Sequence, residues 1–458
     1  MKKLYILTLV LLFTGITSNA QLTVIHNFDS AYGQQPDGDL TISGNTMYGM
    51  ALGGPGDSGV VFAVNTDGSK YQVILYFSKV KMKYTYGSLA LSGKTLYGMA
   101  AYGGKGGAGC IFSVDTDGNR YKDLVDFSGY NGVDPFSSLI YSNGQLFGVS
   151  YNGDTNGVGL VFSVDTNGTG FKHVLDFNGT NGANPNCTLL LNGTTLYGMT
   201  YQGGANGYGL IFSVDTTGIG YKDLFDFNIT NGSFPMGSLI LSGKKLFGMT
   251  QFGGASDSGC IFSIDTTGTN YKDLFNLTNS SGYSPQGTPT LVGNRLYGMT
   301  LFGGAYGEGV LYSIDTTGSD YINRVDFSGP NGAVPYGGLT LSGGSLYGMT
   351  SQGIPWGNII RFDTNTIITS TQQIQKNATG LSVFPNPSNG VFTIQSSVVS
   401  QQSLVEIYNE LGEKVYTQLS TFNSQLSIDI SSQPSGIYLY RVISENGNLI
   451  GEGKLIKE

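Results

Sequence analysis

The sequence predicts an all-β protein: a seven-bladed β-propeller with four-stranded blades, followed by a small β-sandwich. Three observations predict it. A unit of about fifty residues recurs seven times, each full unit divides into four short strand candidates, and the incomplete last unit is completed by the N-terminus. The composition agrees, because 71 Gly, 29 Tyr and 25 Phe beside only 12% charged residues suit short strands joined by tight turns.

At the N-terminus, Lys2 and Lys3 precede the apolar run YILTLVLLFTGI and the small polar stretch TSNA before Gln21. A basic n-region, an h-region and a small-residue cleavage site are the marks of a signal peptide, so residues 1–20 are expected to be removed. The run is shorter than the roughly 20 apolar residues a spanning helix needs. No later segment approaches that length, so no transmembrane segment is expected in the mature chain.

The repeat is marked by Tyr or Phe followed by Gly and then Met or Val, at Tyr48, Tyr97, Phe147, Tyr197, Phe247, Tyr297 and Tyr347. The first interval is 49 residues and the next five are 50. The unit from Gly237 to Leu277 contains SLIL, KLFGMT, GCIFSID and YKDLFNL, each rich in β-branched, aromatic or aliphatic residues and bounded by turn formers. Four strands per unit of this length is the size of a propeller blade. The seventh unit stops after its third strand, Gly357 to Asp363. Leu22 to Phe28 (LTVIHNF) carries the fourth-strand pattern seen in Tyr71 to Phe77 (YQVILYF). Joining the two closes a ring over residues 21–363 and removes the open edges that a linear solenoid would leave.

After Asp363 the polar segment 364–380 reads as a linker. Residues 381–458 then alternate in strands such as FTIQ, SLVEIYN, LSIDIS and GIYLYRVIS, the pattern of a small antiparallel sandwich.

All seven units resemble GloVer-type tandem repeats of secreted bacterial proteins. Gly103-Gly104, Gly203-Gly204, Gly253-Gly254 and Gly303-Gly304 also make the plan similar to kelch propellers, although Trp356 is the sole tryptophan where kelch units carry one each. The C-terminal segment resembles the type A sorting domain of the type IX secretion system. The likeness rests on FPNPSNG (Phe384 to Gly390), VEIYNELGEKV (Val405 to Val415), PSGIYLYRV (Pro434 to Val442) and the terminal GKLIK. It implies the type IX machinery as partner and a secreted or outer-surface location, and it carries no information on activity.

The chemistry is sparse. The net charge of -8 comes from 31 acidic and 23 basic residues without a basic cluster, so nucleic acid is not an expected partner. Cys110 and Cys260 occupy the same place in units three apart, beyond the roughly 7 Å limit for a disulfide, and with Cys187 they read as small buried hydrophobes. The two histidines, His26 and His173, fall in fourth strands rather than long loops. That argues against a histidine-dependent nucleophile or zinc site, and no metal or cofactor is expected. Asp115, Asp165, Asp215, Asp265 and Asp315 recur in DTxG and read as hairpin turns; Asp126, Asp176, Asp226 and Asp326 recur before Phe and read as structural too.

A site should break the repeat. Loops after strands one and three are tight, whereas those after two and four are long and variable, so irregular residues gather on one face. The ligand-binding candidates there are Tyr102, Tyr151, Tyr201, Phe252, Phe302, Tyr306 and Trp356, set among Asn and Gln. Aromatic planes with amides suit sugar rings, so the leading expectation is a surface binding protein for a glycan or other extracellular polymer. The first alternative is a carbohydrate-active hydrolase or lyase drawing its carboxylate pair from Glu308, Asp57, Asp134, Asp154 and Asp257. The second is a structural envelope protein without a small ligand.

Overall fold

The computed structural model describes residues 22–364, 381–396, 402–409, 414–421, 425–444 and 449–458. The expected signal peptide (1–20) and all but the first residue of the expected linker (364–380) lie outside them. The chain divides into two compact units, Met1–Ile367 and Ile368–Glu458. Both are built of strands; among the described residues the helical elements are two single 3-10 turns, Phe77–Lys79 and Ile229–Asn231.

The first unit contains seven four-stranded antiparallel sheets. Six take their strands from consecutive sequence, as in Gln34–Ser43, Thr46–Leu52, Val60–Asn65 and Gln72–Tyr76. The seventh combines Thr340–Ser342, Ser345–Thr350 and Asn358–Asp363 with the N-terminal strand Leu22–Asn27, which pairs Leu22 with Phe362 and Asn27 with Asn358. The expected pairing of the N-terminal strand with the third strand of the last repeat is therefore present.

The recurring Gly after Tyr or Phe has a steric cause. A Cβ on Gly98 would stand 2.6 Å from Phe112 Cζ, and one on Gly198 would stand 2.5 Å from Phe212 Cζ. In six of the seven sheets the second strand thus leaves out a side chain so that a third-strand ring can lie over it; in the seventh, Gly348 pairs with Ile360 and faces Leu339 and Met299. These rings are fully buried and pack on the preceding sheet, as Phe112 does edge-on to Phe77 at 5.5 Å. One such cluster joins Phe28, Met349 and Ile359 of the seventh sheet to Leu40, Met47 and Phe62 of the first.

The inner edges are linked from sheet to sheet by one recurring bond. Asp39 N donates to Ser88 Oγ (2.7 Å), Ser88 N to Ser138 Oγ (2.7 Å) and Thr188 N to Ser238 Oγ (2.8 Å). Between the seventh sheet and the first, Gly338 N donates to Asp39 Oδ1 (2.5 Å), so a carboxylate replaces the hydroxyl. One residue earlier the backbones come so close that a Cβ on Gly337 would collide with Gly38 O, and one on Gly87 with Ser137 O. That position accepts only small residues. Cys187 is one of them, and its Sγ donates to Met199 O as Ser137 Oγ does to Val149 O.

The second unit pairs a three-stranded sheet (Leu381–Phe384, Val391–Ser396, Gln425–Asp429) with a four-stranded one (Lys414–Thr421, Gln402–Tyr408, Gly436–Ser444, Leu449–Lys457). Phe392, Ile407, Ile428, Val442 and Leu455 form its core. Buried Glu406 binds Lys414 (3.0 Å) and Arg441 (2.7 Å), which ties two of the motifs read from the sequence into one network. No helix among the described residues is long and apolar enough to cross a membrane.

Candidate functional site

The repeat-breaking residues converge on one cavity. Eleven residues before each Tyr/Phe-Gly marker stand Asp37, Tyr86, Phe136, Asn186, Met236, Gln286 and Tyr336, one per sheet, and all seven line a concavity of about 510 Å³. Their neighbours on the chain are the small residues of the inner edges, which bring the backbones together and turn this variable position into the wall. Gln35, Tyr102 and Gln352 complete the rim. No Lys, Arg or His lines the cavity.

Its chemistry is that of rings, amides and two carboxyls, buried Asp37 and partly buried Asp39. Tyr86 stands edge-on to Phe136 at 5.3 Å, and Phe136 lies tilted against Tyr151 at 5.5 Å. Asp37 is 9% exposed, and its Oδ1 is buried with no hydrogen-bond partner among the described residues. Burial pushes its carboxyl up to about 7. The hydroxyls of Tyr86 and Tyr336 are raised by burial first and then by the charge of Asp37, which sets both rings beside it. Burial also raises the Asp39 carboxyl, with the Gly338 N–H acting against it.

The residues singled out from the sequence divide. Tyr102 lines the cavity, and Tyr151 abuts it through Phe136. Tyr201 leans on Phe234 at 5.1 Å, and Phe252 and Phe302 are bridged to Ser233 and Tyr283. Tyr306 and Trp356 are 67% and 46% exposed and do not line the cavity, although Trp356 O accepts from the N–H of Gln35 at its rim (2.8 Å). The carboxylates serve loops: Asp57, Asp134, Asp154 and Asp257 have φ of 51°, 55°, 70° and 49°. Asp154 accepts from Asn156 N (2.5 Å) and Gly157 N (2.8 Å), Asp257 from Gly253 N (2.9 Å), Asp134 from Asn152 Nδ2 (3.0 Å) and Asp57 from Gln34 Nε2 (3.1 Å). Glu308 has a buried Oε2 without a partner among the described residues, and none of the five lines the cavity.

The periodic acids hold backbone. Asp126, Asp226 and Asp326 accept from the N–H of Lys105, Ala205 and Ala305 at 2.5–2.8 Å. Asp215 Oδ1 accepts from Thr217 N within its turn. His173 contacts Asp176 at 2.6 Å and His26 stacks on Tyr71 at 4.0 Å. All three cysteines are free and buried. Reading the sequence missed Asp37, Tyr86, Asn186, Met236, Gln286 and Tyr336. Counting back from the marker would have isolated them as the one variable position ahead of two conserved-in-size ones within the repeat.

Sheets repeated along the chain, a cavity lined by each of them and a separate C-terminal sandwich define a propeller-like repeat protein. The chain belongs to the Gloeobacter/Verrucomicrobia repeat family, which matches residues 10–168, 124–268 and 241–401; residues 382–458 match the secretion system C-terminal sorting domain. That domain marks the chain for type IX secretion and cell-surface attachment. No curated relative matches the sequence.

Among solved structures, a Mycobacterium tuberculosis puromycin-hydrolyzing peptidase is similar at 10% identity with a TM-score of 0.51, over 80% of this chain and 59% of that one. The β-propeller domain of the trilobed protease from Pyrococcus furiosus is similar at 10% identity, TM-score 0.46, over 73% and 96%. An oligogalacturonate lyase from Vibrio parahaemolyticus is similar at 10% identity, TM-score 0.49, over 75% and 93%. The chain spans 58%, 58% and 57% of the length of the first solved structures it matches. These likenesses concern the fold.

Proposed function

We propose that the first unit, residues 21–363, is a closed seven-bladed propeller, and that its central cavity binds a saccharide chain at the cell surface. The closure reading is supported by the inner-edge bond that runs on from Gly338 to Asp39 and by the Gly337–Gly38 approach. The observation that carries the binding reading is the cavity itself. Seven sheets each contribute a residue to it from the same place in the repeat, and the set holds three rings (Tyr86, Phe136, Tyr336) and two amides (Asn186, Gln286) beside Asp37 and Met236.

Such a surface offers flat apolar faces to the C–H side of a sugar and amides to its hydroxyls. The lack of basic side chains in the wall disfavours anionic polymers. Four of the five loop carboxylates accept hydrogen bonds from their own surroundings and none of the five lines the cavity, which favours binding over hydrolysis there. The sorting domain supplies the address at which a polymer would be met.

A glycan array probed with the mature protein, followed by calorimetry on each hit, tests this reading. Binding to neutral or amino-containing oligosaccharides is expected, weakened about tenfold or more when Tyr86 and Tyr336 are both replaced by Leu. Absence of any glycan hit, or hits indifferent to both substitutions, sinks the cavity as a saccharide site.

A further inference from the structure

The seven-residue ring contains a single ionisable carboxyl, and its environment is one-sided. Asp37 is nine-tenths buried, Oδ1 has no partner among the described residues, and no basic side chain reaches the wall to neutralise it. On either side of it in the ring stand Tyr86 of the second sheet and Tyr336 of the seventh. Asp39, two residues on, adds a second carboxylate to the same wall, although its Oδ1 is occupied by Gly338 N.

A buried acceptor without a donor costs the fold more than the same group paired. A ligand hydroxyl or amide would satisfy Oδ1 but would not stabilise the carboxyl in its ionised form. A protonated amine would do both, and the two flanking rings would add cation–π attraction to a group held between them. The geometry therefore selects among saccharides.

We propose that Asp37 receives a protonated primary amine, so that the ligand of the cavity is an amino sugar with its amine free. This rests on the saccharide reading above. Three probes separate the two: a fully deacetylated glucosamine hexamer, its N-acetylated counterpart and n-butylammonium, each titrated calorimetrically into the mature protein at pH 7. The expected result is about tenfold or tighter binding of the deacetylated hexamer over the acetylated one. Asp37→Asn should erase that preference, so that the two hexamers bind alike. Tyr86→Leu should weaken both hexamers, and it reports on the cavity independently should Asp37→Asn fail to fold.

Equal binding of the two hexamers, or a preference that survives in Asp37→Asn, overturns the amine assignment alone. Binding of n-butylammonium but of neither hexamer overturns the saccharide reading and leaves Asp37 as an amine site. No binding by any probe overturns both.

Discussion

Asp37 occupies the place that six other repeats give to Tyr, Phe, Asn, Met or Gln, and it alone bears a charge there. Its carboxyl, held near 7 against an ordinary 3.8, means that the folded chain keeps a proton which the unfolded chain has released. Folding stability contributed at this site is therefore complete below about pH 4 and is lost as pH rises through 7. At ~1.4 kcal/mol per tenfold change in proton affinity, the cost at pH 8 is about 4 kcal/mol at most. Asp37→Asn should melt close to the parent at pH 4 and progressively above it toward pH 8. A melting difference that stays constant across that range would show that the carboxyl is not protonated in the fold. The same cost is what a cationic ligand would relieve.

Among the elements, the N-terminal strand has the most to answer for. Leu22–Asn27 is the only outer strand drawn from the far end of the chain, and it pairs with Asn358–Asp363 across a register shift between Val24 and His26. Phe28, which follows it, is 1% exposed, and its N–H donates to Gly357 O at 3.0 Å. Asn358 Nδ2 adds a bond to Asn27 Oδ1. Deleting residues 22–28 would leave the Asn358–Asp363 strand unpaired on its outer side and expose the cluster under Phe28. The deletion should lower the melting temperature sharply, and Phe28→Ala by itself should cost about 3–5 kcal/mol in denaturant unfolding. If the deleted protein melts with the parent, the strand is an ornament to the last sheet and closure lies elsewhere.

At the scale of the whole molecule, one unit holds the cavity and the other matches a sorting domain. Each has its own buried core, so neither needs the other to bury its apolar surface. A chain ended at Asp363 should keep the thermal transition of the first unit and its glycan binding, yet fail to reach the cell surface. Fractionation of cells expressing the two forms, together with calorimetric melting of each, checks both parts. Surface delivery of the shortened chain would remove the addressing role. A large fall in its melting temperature would remove the independence of the units.

Sequence alone was enough for everything that recurs. The period, the four strands per unit, the hairpin aspartates and the partnership of Leu22–Phe28 with Gly357–Asp363 were legible because each repeats a local pattern of turn residues and alternating apolar side chains. The sorting domain was legible for a related reason, since its motifs are contiguous. The site was legible only in part. Tyr102 and Tyr151 stand out as rings in variable loops, but Tyr86, Asn186 and Tyr336 look unremarkable where they occur, 100 residues or more apart from Tyr86 onward. Nothing local says that they face one another. That proximity comes from the packing of seven sheets, whose glycine-lined inner edges let backbones touch and force the one remaining variable side chain of each repeat into a common cavity. The unpaired buried carboxyl of Asp37 is likewise a property of that enclosure, because a carboxylate in an isolated strand would find water.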